Sequence, residues 1–121
     1  MNVASPLSDA LVRYLDLASD QMKVTAGNMA NLDTPGYKTQ GFDLEGQFQS
    51  EMASQGAFGS NAGLATATDV QGLVARPDGN NVSLDRESMQ MAKTQLEFKT
   101  GVELLKREYA RVMTAIHAET K

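Results

Sequence analysis

His117 is the single histidine of the chain, and there is no cysteine. Together these remove thiolate nucleophiles, disulfides, Cys-based zinc sites and any His–His or Cys–His constellation. His117 stands near the end of a helical stretch, where it reads as a residue complementing the negative end of the helix dipole. Asp85 and Glu87 flank Arg86 and superficially resemble a carboxylate pair for acid–base work. Residues two apart on a helix do not share a face, so the spacing suits dipole pairing in a first turn instead. No phosphate-cradling glycine loop and no GxSxG nucleophile turn occurs. Met22, Met29 and Met91 fit helical core filler better than a redox or metal box. Asn81-Val82-Ser83 matches a glycosylation sequon, but so short a motif occurs by chance. The residues point away from an enzyme, and no catalytic residue, cofactor, metal or small-molecule substrate is expected.

Two polar motifs remain. The first is Asn28-Met29-Ala30-Asn31-Leu32-Asp33-Thr34-Pro35-Gly36-Tyr37-Lys38. Asn and Asp side chains bond to backbone groups where a helix unwinds. Thr34-Pro35-Gly36-Tyr37 then reads as a turn, with Pro35 presetting φ and Gly36 accepting the positive φ of a type II turn. The second motif is Asp78-Gly79-Asn80-Asn81-Val82-Ser83-Leu84-Asp85-Arg86-Glu87. It opens within the turn signal Pro77-Asp78-Gly79-Asn80 and closes in the first turn of a helix that Ser83 caps. Taken alone, each motif is also explained as a helix boundary.

The elements that position these motifs divide the chain into residues 1–32, an N-terminal helix; 33–82, the turn and an irregular middle; and 83–121, a C-terminal helix. The first helix starts at Ser5 as N-cap with Pro6 in its first turn. Its stripe is Leu11, Leu15, Ala18, Met22, Thr25, Met29 and Leu32, in alternating steps of four and three. That predicts roughly 24 residues, about 36 Å. Gly27 weakens its last turn or lets another backbone come close. In the C-terminal helix Leu84, Met91, Phe98, Leu105 and Val112 recur every seven residues. Val102, Tyr109 and Ile116 form a companion row, and Glu103 and Arg107 make an i,i+4 pair. Gly101 stands inside this helix at a cost of about 1 kcal/mol relative to Ala, for which close packing on another helix is one reason.

A sustained seven-residue repeat suggests supercoiled packing, and a helical hairpin fits equally well. Both place the terminal helices side by side. The expected fold is mainly α: long terminal helices packed as an antiparallel, coiled-coil-like pair, joined by an irregular Gly/Ser-rich middle with at most short strands. Six of the ten glycines lie between Gly46 and Gly79. Residues 65–68 and 73–75 are the weak strand candidates.

Composition bounds the function. The 121 residues make one domain, together a single unit. Hydrophobic residues reach 41% but aromatics only 6%, with no Trp. The core is therefore thin and reliant on partners. The net charge of −4 argues against nucleic-acid binding, which needs a basic footprint. Residues 84–121 are nearly neutral and densely charged, as a partner-facing helix is. The chain shows no apolar run of membrane-spanning length. Nor does it open with the basic and apolar regions of a cleaved signal.

Residues Ala30 to Lys38 look like the signature shared by bacterial flagellar rod and hook proteins, where it closes the N-terminal helix. Residues Asp78 to Glu87, with Leu104-Leu105 and Ala115-Ile116 further on, resemble the proximal-rod subunits among them. The resemblance covers both ends of the chain. It implies a structural subunit whose terminal helices self-assemble with copies of itself and other rod subunits into the helical drive shaft that transmits motor torque. It also implies contacts with the MS-ring/rod adaptor and export-gate proteins at the rod base. Localisation in the basal body, across the periplasmic space, would follow export through the flagellar type III apparatus without a cleaved signal. Under this resemblance the assembly seam comprises Leu11, Leu15, Met22, Met29, Leu84, Met91, Phe98, Val102, Leu105, Tyr109, Val112 and Ile116. The competing readings are another axial component of the flagellum and a cytosolic helical adaptor or export chaperone.

Overall fold

A computed structural model describes residues 5–53 and 66–119. Helix α1 spans Pro6–Ala30. Ser5 is its N-cap, its side-chain oxygen accepting the Ser8 N–H at 3.0 Å, and Pro6 occupies the first turn, where no N–H is needed. Asn31 is the C-cap and donates its side-chain amide to Gly27 O at 2.8 Å. Helix α3 spans Leu84–Glu119, 36 residues. Ser83 Oγ accepts the Arg86 N–H at 3.3 Å at its start. At 1.5 Å per residue α3 is about 54 Å long and α1 about 38 Å.

The two helices pack antiparallel. Ser5 lies against Glu108, Leu15 against Gly101 and Asn28 against Glu87. The line of contact is not the apolar row that the sequence singles out. The buried residues of α3 are Glu87, Thr94, Gly101 and Glu108, a repeat of seven built from small or hydrogen-bonded polar residues. On α1 the buried residues are Ser8, Ala10, Leu17, Ala18, Gln21, Thr25 and Asn28. Of the expected stripe only Ala18 and Thr25 are fully buried; Leu11, Leu15, Met22, Met29 and Leu32 flank the contact half-buried. Small side chains let the backbones close up, and the larger apolar residues of the expected stripe are displaced to the flanks, while Leu17, outside that stripe, is fully buried. Thr25 and Thr94 satisfy their hydroxyls on the carbonyl four residues back, Gln21 O at 3.0 Å and Gln90 O at 2.9 Å.

The middle segment is more regular than its composition predicts. A ten-residue helix, α2, spans Leu44–Ala53. Arg13 of α1 pins it, donating to both Glu51 oxygens at 2.5 and 2.7 Å, and the Tyr14 and Phe48 rings meet edge to face at 5.4 Å. Leu44 completes a small core with Leu17 and Ala18, against which Tyr14, Phe42, Phe48 and Phe98 pack. Strands β1 (Gln40–Gly41) and β2 (Thr68–Asp69) pair antiparallel, Gln40 opposite Asp69 and Gly41 opposite Thr68. Of the strand candidates, Ala65 lies outside the described residues, Thr66 and Ala67 are not in a strand, and neither are Leu73-Val74-Ala75.

Candidate functional site

The two polar motifs, more than forty residues apart in sequence, meet in space. Gly36 takes φ +76° and Gly79 φ +87°. The Tyr37 N–H returns to Thr34 O at 3.2 Å, closing the turn around Pro35 and Gly36, and Asp78 O accepts the Gly36 N–H at 2.9 Å. The glycines face each other closely enough that a Cβ on Gly79 would lie 3.4 Å from Gly36 Cα. Positive φ at both positions lets two tight turns dock backbone to backbone without side chains between them.

Asn80 is fully buried at the centre of this contact. Its side-chain amide shares two hydrogens among three carbonyls, Asn31 O at 2.9 Å, Leu32 O at 3.0 Å and Thr34 O at 2.8 Å. Its Oδ1 accepts the Val82 N–H at 2.8 Å, and Asp78 Oδ1 accepts the Asn80 N–H at 3.0 Å. Asn81 Oδ1 accepts the Thr39 N–H at 2.7 Å. Arg76 donates to Val82 O at 3.2 Å and also to Leu32 O. The second motif thus caps the chain as it leaves α1.

Asn28 does the same work one turn earlier. Its Nδ2 donates to Gln40 O at 2.7 Å and to Glu87 Oε2 at 3.0 Å. Its Oδ1 accepts the Gln40 N–H at 2.9 Å and the Tyr37 hydroxyl at 3.1 Å. An asparagine side chain carries the same donor–acceptor pair as a peptide, so Asn28 pairs with β1 as a neighbouring strand would. Glu87 is buried, and Arg86 donates to its other oxygen at 2.5 Å. Glu87 is therefore more than a first-turn dipole partner, whereas Asp85 stays exposed. Ala30, Thr34, Pro35 and Gly36 are exposed on the outer side of the docked turns.

At the other end of the pair, Ser5 donates to Glu108 Oε1 at 2.9 Å, and Arg111 holds both Glu108 oxygens at 2.7 and 3.1 Å. The Arg111 guanidinium, with the Ser5 hydroxyl next, draws the Glu108 carboxyl below its usual range. Between the two ends stands Gly101, where a Cβ would come within 2.8 Å of Leu15 Cδ2. This close approach accounts for a glycine inside α3. Gly27, by contrast, has nothing within 4 Å of such an atom. Glu103 pairs with Lys106 at 3.5 Å, one residue from the Arg107 expected.

The seam residues line the flanks. Met91, Phe98, Val102, Leu105, Val112 and Ile116 are half-buried, and Leu84 and Tyr109 are exposed. Sequence reasoning missed Ser8, Thr39, Thr94 and Glu108, all buried, together with Arg76. The seven-residue spacing of Glu87, Thr94, Gly101 and Glu108 was the available signal. No group of metal-binding residues and no helix long and apolar enough to cross a membrane occurs among the described residues.

Residues 15–38, which run from mid-α1 through the first docked turn, match the family model described as flagella basal body rod protein. Along nearly the whole chain the sequence is also similar to proteins named flagellar basal body rod protein FlgB. The Escherichia coli K12 protein is 26% identical, with 91% of this chain and 95% of that protein covered. The Bacillus subtilis 168 protein is 26% identical with 96% and 97% covered, and that of Aeromonas hydrophila 27% with 87% and 88%. Over both ends and the middle the chain is thus similar to flagellar basal-body rod proteins. The chain presents a scaffold of two helices pinned at both ends by polar contacts, with apolar rows left along the outside.

Proposed function

We propose that the chain is a structural subunit of the proximal rod of the flagellar basal body, a component of the helical drive shaft that transmits motor torque. Similarity to flagellar basal body rod proteins supports assembly with other rod and basal-body proteins. The observation that carries the reading is the division of labour along α3. Polar and small residues hold the helix pair together, while Met91, Leu105, Val112 and their neighbours remain half-open for packing between subunits. A seam with nothing to bury against makes a subunit incomplete alone and stable in an assembly. We read residues 1–32, 33–82 and 83–121 as one rod-type domain, with copies of the chain, other rod subunits, the MS-ring/rod adaptor and the export gate as its neighbours. Export through the flagellar type III apparatus, without a cleaved signal, is part of the same proposal. The docked turns set the exit of the chain from α1.

The test is deletion of the gene, complementation with a tagged copy, and immunoblotting of purified basal bodies. Loss of swimming on deletion, with the tagged chain recovered in basal bodies, is the expected result. A chain that stays in the cytosol, with swimming intact after deletion, supports an adaptor or chaperone instead.

A further inference from the structure

Asp78 is the one aspartate of the chain followed by glycine, and no asparagine is. An Asp–Gly bond is the aspartyl linkage most open to ring closure, because glycine has no side chain to hinder its own nitrogen. The Gly79 nitrogen attacks Asp78 Cγ, and the N–H proton leaves with a carboxyl hydroxyl as water. Water then reopens the five-membered imide at either carbonyl. Opening at the former main-chain carbonyl routes the main chain through Cβ and Cγ and leaves the α-carboxylate free, which is isoaspartate. Nothing is consumed overall, since the water lost on closure returns on opening.

The docked turns use both residues of this pair. Gly79 takes φ +87°, and a Cβ there would stand 3.4 Å from Gly36 Cα. Asp78 supplies a short carboxylate whose Oδ1 accepts the Asn80 N–H at 3.0 Å. The same contacts occupy both reacting groups. Gly79 donates its N–H to Arg76 O at 2.8 Å, so the proton that must leave is engaged. Asp78 O accepts the Gly36 N–H at 2.9 Å, which fixes the peptide plane between Asp78 and Gly79. Asp78 is nonetheless exposed to water. Protection therefore comes from conformation and ends wherever the dock opens.

We infer that Asp78–Gly79 is an isoaspartate-forming modification site, silent in the docked chain and active whenever the two turns are apart. The product cannot dock as the native chain does. The carbonyl that accepted the Gly36 N–H becomes a pendant carboxylate. The added main-chain methylene displaces Gly79 from Gly36 and shifts Asn80 against Asn31 O, Leu32 O and Thr34 O, its three acceptors. The site thus marks chains that have stayed undocked, and the mark keeps them so.

Full-length protein is aged at neutral pH, folded and in urea, then digested. The peptides are read by mass spectrometry and by an isoaspartyl methyltransferase with labelled S-adenosylmethionine. Isoaspartate at Asp78 should accumulate in urea and about tenfold more slowly in the folded chain, in proportion to the open population of the turns. Gly36→Val, which loosens the facing turn, should raise the folded rate several-fold and leave the urea rate unchanged. Asp78→Glu should abolish the signal of this peptide in urea, since its ring closure needs a six-membered imide. Chain isomerised in urea, separated and refolded should exchange the amides of Gly36 and Val82 faster than unaged chain taken through the same steps. Equal rates folded and in urea, or an unchanged rate in folded Gly36→Val, overturn the protection. A signal that survives Asp78→Glu, or as much product at Asp33–Thr34 or Asp69–Val70 in urea, overturns the choice of site. Native exchange in the isomerised chain overturns its effect on the dock.

Discussion

Gly101 of α3 faces Leu15 of α1 at close range: a Cβ on Gly101 would stand 2.8 Å from Leu15 Cδ2 and 3.5 Å from Tyr14 Cδ1. Two effects oppose each other in Gly101→Ala. Helix propensity improves by about 1 kcal/mol, while Leu15 must turn aside, which the end of a flexible, half-buried side chain does at modest cost. Ala should leave stability within about 1 kcal/mol of wild type. Gly101→Leu adds branches that have nowhere to go and should destabilise by about 1–3 kcal/mol. Urea titration followed by circular dichroism distinguishes them, and equal midpoints for wild type and Leu would remove the close approach.

Asn80→Ala leaves Asn31 O, Leu32 O and Thr34 O short of a buried donor. The expected loss is about 1–3 kcal/mol. Asn80→Asp should be worse, because it turns a carboxylate toward three carbonyls. Amide exchange should rise at the α1 exit before it rises in mid-α1. Uniform protection in Asn80→Ala would show that water replaces the amide without penalty.

At Gly36 the issue is backbone conformation alone, because no atom lies within 4 Å of an added Cβ. With φ at +76°, Gly36→Val costs about 1–3 kcal/mol, and Gly36→Asn less, since Asn tolerates this region. Swimming should fall in the order wild type, Asn, Val. Equal swimming by Val and wild type would mean that assembly does not feel this turn.

The α2 attachment should be acid-labile. The Arg13 guanidinium holds the Glu51 carboxyl below its usual range, with Gln47 adding a hydrogen bond. A depressed carboxyl contributes stability above its unfolded pKa and loses it as pH falls through the lower folded value. Loss is therefore expected below about pH 4, while the Arg13 pKa, raised further by Glu51, stays out of reach. Near-ultraviolet dichroism of Tyr14 against Phe48 reads the event. Wild type should show an acid transition that Glu51→Gln lacks, the variant being weakened already at neutral pH. The same transition in both would assign it to another carboxylate, Glu108 first.

Leu105 is half-buried on the seam, so Leu105→Asp leaves the charge access to water in the free chain. Folding should weaken little, whereas burial of that charge between subunits costs several kcal/mol. The variant should be exported but missing from basal bodies, with motility lost. Normal swimming would place Leu105 away from every partner.

Helix limits were legible because they rest on local chemistry: Ser5 with Pro6, Asn31 after the last turn of α1, and Ser83 before Leu84. The positive φ of Gly36 was readable for the same reason. The facing row of α3 was not, since a search for apolar periodicity passes over Glu87, Thr94, Gly101 and Glu108 however regular their spacing. α2 was hidden by Gly46 and by the small share of its surface that is buried, with Leu44 its one fully buried residue. The docking of Gly36 on Asp78 joins residues with no local relation, so neither turn announces the other.

The hydrogen bonds at Ser5–Glu108 and Asn28–Glu87 sit 23 residues apart on α1, about 35 Å along its axis. Greasy surfaces slide over one another with little change in energy, but a hydrogen bond has a fixed partner. Moving one helix along the other by a single turn would break both bonds at once and drive Leu15 out of the hollow over Gly101. A pair pinned at two distant points resists shear along its length and behaves as one stiff strut. Under a twisting load, slippage would then fall to the contacts between subunits before it reached the inside of any one of them.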